Sequence, residues 1–171
     1  KLQQAQAQFG FPMNRIEVEI TENISIRNPQ YVVEQLNGLC QLGVSVAIDD
    51  FGTGYSSLAY LHRFPVRTVK IDQSFVSEIQ HAQDHCPVVL AIIAMASGLG
   101  MNLIAEGVET IDQALYLQQA GCSHMQGFLF HPTLPNVQFL PLLEEEVSGQ
   151  RPSQWPSHLG ISQQGRLLFG S

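Results

Sequence analysis

Residues 44–58 read VSVAIDDFGTGYSSL: a short apolar run, two adjacent acids, a glycine-rich loop and the beginning of a helix. The apolar run, bounded by acids and glycines, predicts a buried β-strand over 44–48. Gly52 and Gly54 permit positive φ angles and a close backbone approach, and the serines after them can cap a short helix around Leu58. This strand–loop–helix order is one unit of an α/β fold.

The same unit recurs on both sides of this stretch. Strands are predicted at 15–20, 67–71, 101–105 and 124–130, and helices at 1–10, 29–43, 86–100 and 110–120. Thr110, with Gln113 three residues later, predicts a capping box for the last of these helices. Strands that alternate with helices predict a parallel sheet with right-handed crossovers, either doubly wound or closed into a barrel.

Composition predicts a compact α/β protein and argues against some functions. The chain has 171 residues, of which 44% are hydrophobic and 13% charged. Its formal net charge is −7, so we expect no nucleic-acid polymer as a partner, because phosphate backbones are bound by excess Lys and Arg. Three cysteines without a CxxC pair favour free thiols in a reducing cytosol. The domain is placed at 1–147, and 148–171 is interpreted as a Ser/Gln/Pro/Gly-rich tail without an assigned function.

The positions of the acids are the most informative feature of the chain. Seven of the 15 acids lie at the ends of four predicted strands: Glu19, Glu22, Asp49, Asp50, Asp72, Glu106 and Glu109. In parallel α/β folds the carboxyl ends of the strands share one edge, where active sites are built. Lys70, the only lysine after Lys1, belongs to the same edge. One such acid is usually a helix cap or a loop residue, but carboxylates from four strands repel one another unless cations neutralise them.

The residue types at this edge indicate the kind of metal. Hard oxygen ligands predict Mg²⁺ or Mn²⁺, or Ca²⁺, in preference to structural zinc. His81 and His85, four residues apart, offer an alternative metal site, although histidines are common in such loops. The glycine-rich run is not a Walker loop, since no G-K-[ST] follows it. It is either an ordinary strand-to-helix turn or a mobile loop beside the metals.

Five strings of the chain closely resemble, in order and spacing, the EAL-domain family of bacterial phosphodiesterases, which linearise the second messenger cyclic di-GMP. They are E-I-T-E (19–22), D-D-F-G-T-G-Y-S-S-L (49–58), K-I-D (70–72), A-E-G-V-E (105–109) and Q-G-F-L-F (126–130). The resemblance implies a TIM-like (β/α) barrel, of which this chain carries about five strands with their helices. It also implies hydrolysis of cyclic di-GMP to linear pGpG by two-metal activation of water, in the bacterial cytoplasm, with membrane anchoring of a longer protein left open.

The resemblance implies metal-binding and catalytic residues. Positions that match Glu19, Asp49 and Glu106 hold the first metal in the family, and those that match Asp49 and Asp50 hold the second. The position that matches Lys70 contacts the attacking water or the phosphate, so Lys70 and Glu106 are expected to be catalytic. The expected cofactors are two ions of Mg²⁺ or Mn²⁺, with Ca²⁺ as an inhibitory occupant.

The resemblance also implies residues that support these ligands. Glu22 is expected to anchor a flexible loop, which is formed by Gly52, Thr53 and Gly54. Glu109 and Gln126 match positions close to the site and are expected to support it without touching the metal.

The match has departures. The Glu-Ala-Leu motif that names the family does not occur, and neither does the family's Asn-bearing strand. A TIM barrel takes about 250 residues and eight strands. We therefore expect the chain to be the C-terminal part of a longer domain, inactive alone, with roughly 100 residues of the barrel before it. Pro132 replaces the family's usual basic residue, which puts one contact at the edge in doubt.

Two other functions stay open. A non-catalytic receptor would bind cyclic di-GMP and signal through a partner, but it would not need the complete set of metal-binding acids. An enolase-type barrel lyase also lines its strand ends with carboxylates and a lysine base, but the D-D-F-G-T-G loop argues against it. Besides cyclic di-GMP, the expected partners are other domains of a longer signalling protein, and a homodimer is left open.

Overall fold

Five parallel strands form one sheet, in the order of the sequence, in the computed structural model of this chain. The structure describes residues 1–22, 29–54, 61, 63–148, 160–161 and 167–168. The strands of the sheet are β1 (Glu17–Thr21), β2 (Ser45–Phe51), β3 (Thr68–Ile71), β4 (Asn102–Ala105) and β5 (His124–Met125). Each strand pairs in parallel with the next, so β1 and β5 form the edges of this sheet. The predicted parallel sheet is confirmed.

Helices precede, connect and follow these strands. They are α1 (Leu2–Phe9), α2 (Pro29–Gln41), α3 (Gln73–Ser77), α4 (Pro87–Gly98), α5 (Ile111–Ala120) and α6 (Asn136–Val147). A 3₁₀ turn spans Met13–Arg15, and β6 (Gly160–Ile161) pairs with β7 (Leu167–Leu168) in an antiparallel ladder. The predicted capping box is confirmed, since Thr110 Oγ1 accepts from the Gln113 N–H and Gln113 Oε1 accepts from the Thr110 N–H. Across the described ranges, no helix has the length and apolar character needed to cross a bilayer.

One face of the sheet is apolar and the other is charged. Because alternate residues of a strand point to opposite faces, a single strand can serve both. The buried core on the apolar face includes strand residues Ile20, Val46, Ile48, Val69 and Ile71 and helix residues Val89, Ile92, Ala114 and Leu117. Burial of each Val, Leu or Ile side chain in this core stabilises the fold by roughly 1.5–3 kcal/mol. The opposite face carries Glu17, Glu19, Asp49, Thr68 and Lys70, and it positions the site.

The predicted strand over 124–130 is wrong beyond Met125, where β5 ends. The chain turns at Gly127, whose φ angle is 155°. A Cβ atom at Gly127 would lie 2.2 Å from the carbonyl oxygen of Val108, so only glycine lets these two backbone segments touch. This contact draws the chain out of the sheet.

Other boundaries also differ from the predicted ones. Strand β2 continues through Phe51 instead of ending at residue 48, and α6 was not predicted. This helix contains Pro141 and exposes apolar side chains, among them Val137 and Leu140. The helix predicted around Leu58 lies outside the described residues, and the domain division at residue 148 stays a prediction.

Candidate metal centre at the carboxyl ends of the strands

Lys70 is the point where carboxylates from three strands meet. Its Nζ atom lies 2.7 Å from Glu19 Oε1, 3.2 Å from Asp49 Oδ1 and 2.5 Å from Glu106 Oε1. Glu19 lies on β1 and Asp49 on β2, and Glu106 directly follows β4. Only 8% of the Lys70 side chain is exposed, so the ammonium depends on these three anions for its charge balance. The structure therefore brings together four residues that the sequence placed at one edge.

The protonation state of Lys70 follows from two opposing effects. Burial lowers its pKa, because desolvation disfavours the charged amine. Hydrogen bonds to Glu106 and Glu19, together with the nearby Asp49 carboxylate, act in the opposite direction and outweigh burial, so the pKa lies above its ordinary value. Lys70 is therefore a fixed positive charge at neutral pH.

Asp49 and Asp50 reach the same site although they are consecutive residues of a strand. Side chains of neighbouring strand residues normally point to opposite faces. Here the β2–β3 register shifts between Ile48 and Phe51, and Asp50 has a φ of 52°, the only positive value among the described non-glycine residues. This bulge turns the Asp50 side chain back toward Asp49. Carboxylate oxygens of Asp49, Asp50 and Glu106 consequently lie within 4.8 Å of one another.

This group of acids fits a divalent cation. Asp49 Oδ1 is buried, and within the described ranges it makes an ion pair with Lys70 but no well-directed hydrogen bond. Burial, followed by the negative charges of Asp49 and Asp72, raises the pKa of Asp50. An under-satisfied carboxylate oxygen and crowded like charges are what a hard cation with oxygen ligands would relieve.

Glu22 holds the start of the glycine-rich loop. Its side chain is buried immediately after β1, and its Oε2 atom accepts hydrogen bonds from the N–H groups of Gly52 and Gly54, each at 3.0 Å. A Cβ atom at Gly52, where φ is 101°, would lie 2.7 Å from the ring of Phe75. Thr53 Oγ1 donates to the Asp50 carbonyl oxygen at 2.8 Å. The loop therefore begins in a defined conformation, beside the metal-binding acids.

Gln126 and Glu109 have different environments. Gln126 Nε2 donates to Glu106 Oε1 at 2.6 Å, so it positions the same oxygen that contacts Lys70. Glu109 donates its backbone N–H to Gln113 Oε1 as part of the α5 cap, and its side chain is exposed. The structure therefore brings Gln126 to the site, whereas the supporting role of Glu109 stays a prediction.

Asp72, which was placed at this edge without an assigned role, and Thr68, which was not predicted, also lie in this region. Asp72 caps α3 by accepting from the Ser74 N–H at 2.9 Å, and its carboxylate interacts with that of Asp50. Thr68 Oγ1 donates to Glu17 Oε2 at 3.3 Å, one layer deeper in the sheet. The K-I-D string signalled Asp72, but the partner of Glu17 depends on strand register, which local sequence does not reveal.

Among the residues that the structure describes, His81 and His85 join no group of three or more ligand-bearing side chains close enough to hold a metal ion. Asp84 Oδ2 accepts from the N–H groups of Gln80 and His81, and so serves as a turn cap. Within the described ranges, Asp49, Asp50 and Glu106 are the one group of three or more residues whose ligand atoms are close enough. A cavity of about 620 Å³ lies at the opposite end of the sheet; it is lined by Asn14, Cys40, Gly43, Val44, Ser45, Val46, Pro65, Val66 and Arg67. It contains no acid and is separate from the acidic edge.

Comparison with curated proteins shows clear relatives. The family model of the EAL domain matches residues 1–133. Cyclic di-GMP phosphodiesterase NbdA of Pseudomonas aeruginosa is 42% identical over 151 residues, which are 88% of this chain and 19% of that protein. Cyclic di-GMP phosphodiesterase PdeR of Escherichia coli is 41% identical over 138 residues, 81% of this chain and 21% of that protein. The chain thus spans about a fifth of the length of these two relatives.

Solved structures share the fold. The PaMucR phosphodiesterase in complex with c-di-GMP superposes with a TM-score of 0.75 at 38% identity, over 81% of this chain and 56% of that chain. For the EAL domain of Mycobacterium smegmatis DcpA the TM-score is 0.77 at 41% identity, over 84% and 65%. Klebsiella pneumoniae BlrP1 in a manganese/cy-diGMP complex gives 0.66 at 32% identity, over 75% and 33%, and was also solved in a calcium/cy-diGMP complex. The five-stranded sheet is therefore part of a TIM-like barrel, and the chain belongs to the EAL-domain family.

Proposed function

We propose that this chain contributes the site of a metal-dependent phosphodiesterase that hydrolyses cyclic di-GMP to linear pGpG once its barrel is complete. The observation that carries the proposal is the convergence of the Lys70 ammonium with the carboxylates of Glu19, Asp49, Asp50 and Glu106 at the carboxyl ends of the strands. The relatives NbdA and PdeR are named cyclic di-GMP phosphodiesterases, and the PaMucR phosphodiesterase structure is a complex with c-di-GMP; both findings support the proposal.

The proposed cofactors are two ions of Mg²⁺ or Mn²⁺. Glu19, Asp49 and Glu106 would hold the first ion, and Asp49 and Asp50 the second. When bound, such ions supply positive charge to phosphoryl oxygens and lower the pKa of a water molecule. The all-carboxylate donor set supports this metal class, and the BlrP1 complexes show that a related protein holds manganese or calcium together with the dinucleotide.

The chain's own residues would bind and orient the reacting groups. Lys70, buried and protonated, lies where it can stabilise negative charge that develops on the phosphate. Gln126 fixes one oxygen of Glu106 by a hydrogen bond, which limits the rotation of that carboxylate. Glu22 ties two loop amides to the edge of the sheet and keeps the loop beside the acids.

The enzyme proposal is tested by removing one metal-binding acid in the full-length protein. Asp49→Ala and Glu106→Ala should each lower Mn²⁺-dependent cleavage of cyclic di-GMP by about 10³-fold or more, because a ligand and its charge are lost. Glu34→Ala removes one acid from the exposed face of α2 and serves as the matched control. Near-normal cleavage by either site variant would contradict the metal assignment.

A non-catalytic receptor that binds cyclic di-GMP is the second candidate, and Pro132, at the position where the family usually has a basic residue, marks one departure from the family at this edge. Chelation with EDTA separates the two proposals. A receptor should retain affinity for cyclic di-GMP and show no turnover with or without Mn²⁺. An enzyme should turn over the dinucleotide with Mn²⁺ and lose this activity with EDTA.

A further inference from the structure

The Lys70 ammonium and the proposed divalent ions use carboxylates of the same residues. Asp49 and Glu106 contact Lys70 Nζ at 3.2 and 2.5 Å, and both also belong to the metal-capable group with Asp50. Glu19, the third contact of Lys70, is the remaining acid proposed for the first ion. The Lys70 ammonium therefore neutralises part of the negative charge of the carboxylates that would attract the divalent cations.

Lys70 has little room to leave this position. It lies on β3, which pairs with β2 on one side and β4 on the other, and all four residues of β3 are buried. Its flanking residues Val69 and Ile71 are fully buried in the core, and Lys70 itself is 6% exposed. The strand that carries Lys70 is thus held by packing, and its buried ammonium contacts three carboxylates, so its charge stays near any ion bound to them. Two cations that share ligands in a poorly hydrated site repel each other.

We infer that Lys70 is an internal counter-cation with two opposite effects on this edge of the sheet. It holds Glu19, Asp49 and Glu106 together against their mutual repulsion, and it weakens the binding of each divalent ion. Loading of the site therefore needs a higher divalent concentration than it would without the Lys70 charge. The inference rests on the proposed metal site, but it concerns affinity and stability, and not turnover.

The test is Mn²⁺ titration calorimetry on the full-length protein and on Lys70→Met, with thermal unfolding in EDTA as a second measurement. Lys70→Met should bind Mn²⁺ about tenfold more tightly or better, because the competing charge is gone. The same variant should melt at a lower temperature in EDTA, because three carboxylates lose their common partner. A merely structural role would weaken both properties, so the opposite signs are diagnostic.

Two control variants separate local from general charge effects. Arg67→Met makes the same change in net charge at an exposed residue just before β3, at the end of the strand away from the acids. It should leave Mn²⁺ affinity within about twofold of wild type, and Lys70→Arg, which keeps the charge, within about threefold. Lys70→Gln, a neutral hydrogen-bond donor, replaces Lys70→Met in the titration if the latter does not fold.

The outcomes distinguish this inference from the proposed function. Equal or weaker Mn²⁺ binding by the neutral variants, with an intact fold by circular dichroism, would overturn the counter-cation role and leave the metal site standing. A gain of equal size in Arg67→Met would also overturn it, because general charge would then suffice. If the wild-type protein binds no Mn²⁺, the metal assignment itself fails, and the inference fails with it.

Discussion

Replacing Glu22 should release the glycine-rich loop, and the structure sets the size of the effect. Two backbone amides, those of Gly52 and Gly54, donate to one oxygen of this buried carboxylate at 3.0 Å each. A hydrogen bond to a charged acceptor contributes about 1.5–3 kcal/mol. Both glycines retain some solvent exposure, which favours the lower figure. Glu22→Ala should therefore cost about 3 kcal/mol of local stability, from two bonds of about 1.5 kcal/mol each.

Glu22→Gln separates the contribution of the carboxylate charge from that of the hydrogen-bond geometry. Because a single oxygen accepts both bonds, the amide oxygen of glutamine can take the same place. The charge is lost, and neutral hydrogen bonds are roughly half as strong as charge-assisted ones. We therefore expect Glu22→Gln to cost about half as much as Glu22→Ala.

Native-state amide hydrogen exchange at Gly52 and Gly54, followed by NMR, measures this effect directly. A loss of about 3 kcal/mol should speed exchange at both amides by roughly 10²-fold in Glu22→Ala, and about tenfold in Glu22→Gln. Glu34→Ala, on the exposed face of α2, controls for the lost charge. Unchanged exchange in Glu22→Ala would refute the anchoring role. Wild-type exchange rates in Glu22→Gln would refute the contribution of charge, and alanine-like rates in Glu22→Gln would refute the contribution of the neutral hydrogen bonds.

Three further predictions concern the backbone and a buried thiol. Asp50→Asn should unfold in urea with the stability of the wild type, because asparagine tolerates the φ of 52°. Asp50→Val should lose about 1–2 kcal/mol, because a β-branched residue does not. Equal stabilities of the two variants would contradict the role of the bulge. Gly127→Ala should lower the melting temperature by about 10 °C or prevent folding, since its Cβ would meet the Val108 backbone at 2.2 Å, while Gly98→Ala, with open space around it, should not. Burial raises the pKa of the Cys122 thiol to about 11 from 9.0, so native Cys122 should react slowly with iodoacetamide at pH 9. Above pH 9 the Cys122 thiol ionises in the unfolded state but not in the folded state. The free energy of unfolding of the wild type should therefore fall between about pH 9 and pH 11, and that of Cys122→Ala should not share this fall. A parallel decline in both proteins would contradict the prediction.

Features that depend on neighbouring residues or on strand alternation were predictable. Thr110 and Gln113 predicted their capping box because all its atoms lie within one helical turn. Glu19, Asp49 and Lys70 could be placed at one edge because parallel strands align their carboxyl ends, and the ion pairs agree with that placement. Neither prediction depended on the strand register, which decides which residues are opposite each other in the sheet.

Features that depend on contacts between distant segments were not predictable. The early end of β5 follows from a backbone contact between Gly127 and Val108. The local sequence around either residue does not predict this contact. The partner of Glu17 is Thr68, which is 51 residues away and becomes a neighbour only through the register of three strands. The turn of Asp50 likewise belongs to the β2–β3 pairing, because the sequence from Ile48 to Phe51 is compatible with a regular strand.

The bulge at Asp50 makes the site sensitive to chain length as well as to residue identity. Deletion or insertion of a single residue between Ile48 and Gly52 would move one aspartate to the helix-covered side and pull the loop amides away from Glu22. Grafting this centre onto another barrel would therefore require residues 45–54 as one uninterrupted segment, together with Glu19, Glu22, Lys70 and Glu106. The spacing inside this segment cannot change without separating Asp49, Asp50 and the loop amides from their partners.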